Sequence, residues 1–125
     1  MISFNYNKAI GVLETKIEGD TSINDIIKYI IDVREHEMLS GKIKIFTDAS
    51  NGKFVEKVRQ NELIKFLEEN KKTLAQKEFI YDAFVVSGSF ETALGLLYQE
   101  LIEVPNYKFK IFSTKEAAIN WLNKF

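Results

Sequence analysis

Ile2-Ser3-Phe4-Asn5-Tyr6 alternates apolar and polar, the two-residue period of a strand with one buried face. Asn7-Lys8 interrupts the alternation, and Ala9 to Ile17 reads as a second strand. The chain therefore opens with a hairpin, and Asn suits the positive φ of a tight turn. Gly19-Asp20 closes the second strand, and Thr21 or Ser22 offers a hydroxyl to cap a helix. The period then changes. Ile23, Ile26, Ile27, Ile30 and Ile31 recur at helical spacing, Met38 and Leu39 extend the stripe, and Ser40-Gly41 ends it. Ile43 to Thr47 is a short strand ending at Asp48, followed by a loop, Ala49-Ser50-Asn51-Gly52. A second helix is predicted over Phe54 to Gln76, with a break in its apolar spacing between Val58 and Leu63.

Phe79 to Val86 holds the densest apolar run, Ala83-Phe84-Val85-Val86, and reads as a central strand buried on both faces. Asp82 is placed at the start of this strand, at the end of the sheet away from Asp48. Ser87-Gly88-Ser89 ends the strand, and Ser89 is positioned to cap a third helix carrying Phe90, Ala93, Leu94, Leu97, Leu101 and Ile102. Pro105-Asn106 stops that helix, and Tyr107 to Phe112 alternates as the last strand. Ser113-Thr114-Lys115-Glu116 has the spacing of a capping box with Ser113 as the cap, ahead of a terminal helix. The order β-β-α-β-α-β-α-β-α predicts an α/β fold. It forms a single domain over 1–125 with a five-stranded mixed, mainly parallel sheet and an antiparallel first strand at the edge.

Three stretches carry a family resemblance: Glu18-Gly19-Asp20 leading into the first helix, the strand Ile43 to Asp48 ending in an acid, and the tail from Phe109 to Leu122 with its Ser-Thr, Glu-Ala-Ala and Trp-Leu pattern. With the element order, they resemble the STAS domain of bacterial anti-sigma-factor antagonists, and within it the small SpoIIAA-like (STAS/SEC14-like) bacterial proteins. The resemblance implies a SpoIIAA-like fold and action through a protein partner. The antagonists share an Asp-Ser-Ser/Thr-Gly segment where phosphorylation switches partner binding. Here the matching stretch is Asp48-Ala49-Ser50-Asn51-Gly52, so Ala49 removes one acceptor and Ser50 remains. Related SEC14 domains bind lipids, so the resemblance also permits an apolar ligand.

Composition narrows the chemistry. There is no cysteine, which excludes disulfides, thiol catalysis and thiolate metal sites. Seventeen basic residues face eighteen acidic ones, for a formal charge of −1. Only Arg34 and Arg59 are arginines, so no field or bidentate set points to nucleic acid. No apolar run is long enough to insert in a membrane, and the first residues lack the form of a signal peptide; the expected location is cytoplasmic. His36 is the one histidine and reads as an exposed surface residue, so no metal site is expected. No dinucleotide, P-loop or nucleophile-elbow motif occurs, and no cofactor or catalytic residue is assigned.

Two groups of candidates remain. Asp48, Ser50, Ser87 and Ser89 fall at the carboxyl ends of neighbouring strands, where open parallel sheets bind ligands; turn bracing and capping are their alternative roles. Phe54, Phe66, Phe90 and Tyr98 are candidates for an apolar pocket or an interface, among ten Phe, five Tyr and one Trp; ordinary core packing is their alternative role. The expected function is a non-enzymatic binding or regulatory module acting on a protein partner or a second copy of itself, as in a homodimer. The alternative is a carrier or sensor of a small, lipid-like apolar ligand.

Overall fold

The computed structural model describes residues 1–36, 39, 41–54 and 59–125, with Phe54 described at its backbone only. Its elements are β1 (Ile2–Asn7), β2 (Val12–Thr21), α1 (Ile23–Glu35), β3 (Lys42–Phe54), α2 (Gln60–Ala75), β4 (Phe79–Val85), α3 (Ser89–Leu101), β5 (Tyr107–Phe112) and α4 (Lys115–Leu122). The five strands lie in the order β1-β2-β3-β4-β5, with β1 antiparallel to β2 and every other pair parallel. This is the mixed sheet and antiparallel edge that the apolar periods predict.

The order decides where the helices go. Each parallel crossover steps to the next strand in the same direction, and right-handed crossovers then deliver α1, α2 and α3 to one face. On that face Leu13, Ile45 and Ile80 of the sheet pack with Val33, Leu74 and Ile102. Alternate strand residues point the other way, so Val12, Phe46, Ala83 and Val85 lie under Ala118 and Leu122 of α4. β4 is accordingly buried on both faces.

Several local expectations are corrected. The hairpin turn is four residues, Lys8 to Gly11, because the Asn7 side chain accepts from the Ala9 N–H, its carbonyl from the Gly11 N–H, and Gly11 takes a φ of 66°. β3 does not stop at Asp48. β2 runs on to Thr21 and pairs Glu18–Thr21 with Asn51–Phe54 after a bulge, so the predicted loop is strand. The second helix begins at Gln60 after an extended Arg59, within the interval from Val58 to Leu63 where the apolar spacing slips; of the earlier residues assigned to it, Phe54 is strand and 55–58 lie outside the described ones. α1 ends at Glu35, and Leu39 is buried beyond it; Met38 lies outside the described residues. Between the two possible caps of α1, Ser22 is used, in a reciprocal box with Asp25. α4 is capped by Thr114, not Ser113. α3 is entered through Gly88, with Ser89 already its first helical residue. His36 is half-buried and edge-on to Phe4, not an exposed residue. Among the described residues no helix is long and apolar enough to cross a membrane.

Candidate functional site

Asp48 and the aromatic pair Phe66 and Tyr98 lie on opposite faces of the sheet. Asp48 shares the α4 face with Phe46, two residues earlier on β3. Its Oδ1 accepts from both the Ser50 hydroxyl (2.6 Å) and the Ser50 N–H (3.1 Å). The Ser87 hydroxyl donates across to the Ser50 carbonyl at 2.6 Å. The Ser50 hydroxyl holds the Asp48 carboxyl below the ordinary range against some desolvation, with Lys16 and Lys115 adding attraction. Asp48, Ser50 and Ser87 are thus brought together as an anionic turn that ties β3 to the end of β4. Ser89 is exposed at the start of α3.

The helical face carries a cavity of about 350 Å³, within the size range of small-molecule sites. Its floor is the inward row of the sheet, and α1, α2 and α3 wall it. Phe66 of α2 and Tyr98 of α3 both line it, with ring centroids 5.5 Å apart. Phe90 stands apart from them, 54% exposed, and the Phe54 side chain lies outside the described residues. Room for α3 to approach β5 comes from Gly95, where an added Cβ would sit 2.3 Å from Ile111 Cδ1.

One carboxyl stands in this apolar wall. Asp82 is not at the start of β4 or at a far end of the sheet; it pairs with Ile45 of β3 and Phe109 of β5, in mid-sheet, and lines the cavity. Its Oδ2 accepts from the Tyr107 hydroxyl at 2.9 Å. Tyr107 in turn accepts from Tyr98 at 3.0 Å, and Tyr98 accepts from the Asn70 amide. Every proton in this relay points toward the acid. Asp82 Oδ1 is shut off from water and has no hydrogen-bond partner among the described residues. Burial pushes the Asp82 carboxyl up to about 7, opposed by the Tyr107 bond. Burial also raises the hydroxyls of Tyr29, Tyr98 and Tyr107, with the nearby Asp82 charge acting in the same direction. Tyr29 shares a 2.7 Å hydrogen bond with Thr15 at the β2 side of the same face.

This acid is the residue that the sequence reading missed. The available signal was a charge directly before the Ala83–Val86 run, within a strand already read as buried on both faces. Such a charge has no wet side to turn to. Among the described residues, no three His, Asp or Glu side chains gather as a metal site.

No family model matches the chain, and no curated protein does. Solved structures that share its fold include the following two. An uncharacterised DUF3478-family protein with a SpoIIAA-like fold from Shewanella loihica PV-4 aligns over 98% of this chain and 92% of its own, with 18% identity and a TM-score of 0.63. SpoIIAA, a Bacillus cell fate determinant solved in its phosphorylated form, aligns over 98% and 99%, with 10% identity and a TM-score of 0.51. At these identities the likeness is one of fold.

Proposed function

We propose that this SpoIIAA-like domain is a non-enzymatic cytoplasmic module that binds a small, mainly apolar ligand in the cavity between its sheet and α1–α3. The observation that carries the reading is the cavity itself: ligand-sized, walled mainly by aliphatic and aromatic side chains, with the Asp82, Tyr107, Tyr98 and Asn70 groups at a fixed place in it. A non-enzymatic role is supported by what surrounds it. The hydroxyls of Tyr98 and Tyr107 already donate within the relay, and those of Thr21 and Thr73 donate to backbone carbonyls. The direct test is native mass spectrometry of freshly purified protein, followed by NMR titration with hexanol. Retention of an apolar molecule, or hexanol shifts centred on Phe66, Tyr98 and Phe109, is expected. Absence of both would sink the proposal.

A second reading, regulation through protein contact, is favoured by α3. Phe90, Leu97 and Leu101 follow one another along the helix at seven- and four-residue steps and are about half exposed, and α3 has no fully buried residue. SpoIIAA, with the same fold, is described as a cell fate determinant. A Phe90→Glu variant, which spares the cavity-lining Leu97 and Leu101, should lose self-association or partner capture while still binding hexanol. Unchanged association would remove this reading.

A further inference from the structure

We infer that the cavity selects an organic ammonium ion, an apolar body with one cationic nitrogen at its buried end, held by Asp82. The inference rests on the ligand-binding reading and names the class of ligand.

Three observations converge on a cation. First, the donors are polarised. With Asp82 ionised, Tyr107 donates its one proton to Asp82 Oδ2 and therefore accepts from Tyr98, which accepts from the Asn70 amide. A relay with all its protons aimed at the carboxyl supports a negative charge there. Second, that charge is under-compensated. The carboxyl receives this one hydrogen bond, and its other oxygen has no partner among the described residues. A buried carboxylate is stable only when paired, so an ammonium group that displaces the side chains now covering Oδ1 would supply the missing donor. Third, the surrounding surface suits a cation. Tyr29, Phe66, Phe84, Tyr98, Tyr107 and Phe109 all line the cavity, and ring faces attract a desolvated ammonium group. A fatty-acid carboxylate would meet the Asp82 charge with repulsion.

Other groups bear on any pH dependence. Tyr29 faces Asp82 from α1, Tyr98 from α3 and Tyr107 from β5, all held neutral by burial, with Asn70 from α2. Lys53 of β3 and Glu91 of α3 also line the cavity.

The test is calorimetric titration of the full chain with hexylamine, hexanol and hexanoate at constant ionic strength. Hexylamine binding should tighten about tenfold between about pH 6 and about pH 8, as Asp82 goes from about one-tenth to about nine-tenths ionised while an aliphatic amine stays protonated. At the higher pH, hexylamine should bind more tightly than hexanol and hexanoate more weakly. In Asp82→Asn the pH dependence and the amine advantage should disappear while hexanol still binds, which separates Asp82 from Lys53 and Glu91. If that variant does not fold, the wild-type pH series decides alone. Equal, pH-independent binding of hexylamine and hexanol, or a preference for hexanoate, overturns the ammonium inference and leaves the cavity reading standing. No binding by any of the three overturns both.

Discussion

Burying Asp82 makes folding stability depend on pH in a range where exposed carboxyls have finished titrating. Its ordinary value is 3.8, and in the folded chain it is pushed up to about 7. Between those values the folded chain holds a proton that the unfolded chain has released. The contribution is therefore full below about pH 4, declines as pH rises, and levels off above about pH 7. A shift of about three units corresponds to about 4 kcal/mol at most. Water reaching the cavity wall screens part of this, so a loss of about 2–4 kcal/mol is expected. Asp25 and Asp48, both held low by bonds to neighbouring serines, act outside this window. Their contribution is present at neutral pH and is lost only below about pH 4. The assay is urea unfolding at steps from about pH 5 to about pH 8, for the wild type and Asp82→Asn. Wild-type stability should fall across the series. The amide is nearly isosteric and can still accept from Tyr107, so the variant should be flat and end as the more stable protein. A flat wild-type series, or an equal slope in the variant, would refute the burial argument.

The remaining tests probe other parts of the same framework. Tyr29, Tyr98 and Tyr107 stay neutral in the folded chain past the value near 10 at which they ionise when unfolded, so stability should drop again above about pH 10. Ultraviolet difference titration should show those three ionising together with unfolding, and early ionisation would contradict it. Ser50→Ala removes the main cause holding Asp48 low, and NMR titration of the Asp48 carboxyl should move up toward its ordinary value. Gly52→Ala would place a Cβ 2.9 Å from Ile17 Cγ2 and 3.2 Å from the Ile17 carbonyl oxygen, so thermal unfolding should report a loss of about 1–3 kcal/mol. Leu122→Ala, at a residue 1% exposed on the inner face of α4, should cost about 2–5 kcal/mol in urea.

The element order was legible because the apolar period changes at nearly every junction, from two in Ile2–Tyr6 to helical spacing after Ser22, and back at Ile43. What the periods do not encode is pairing. Glu18–Asp20 and Asn51–Lys53 are polar, exposed or glycine-bearing stretches with little strand signal of their own. They become strand because each supplies the other's ladder across a bulge. Capping was ambiguous for a similar reason. At Ser113-Thr114 two adjacent hydroxyls compete, and Lys115 as the first helical residue leaves Thr114 to take the Ala117 N–H.

The candidate site divides along the same line. Asp48, Ser50 and Ser87 are close in sequence or at adjacent strand ends, so local reasoning could place them near one another. Asp82 could be found only by carrying the β4 reading to its consequence. Ile80, Asp82 and Phe84 fall on one face of a strand flanked by β3 and β5, and three helices cover that face. An acid there must be neutralised by a partner, by a proton or by a ligand. The fold provides a hydroxyl relay on one side of the carboxyl and an aromatic cavity on the other. A carboxyl needed only for packing would be served better by an apolar side chain of similar volume, because an unpaired buried acid costs stability that a hydrocarbon does not. Its place in the wall of a ligand-sized space is what motivates the proposed recognition role. The two faces of the sheet then divide their roles: α4 completes the core on one, while α1–α3 leave room on the other.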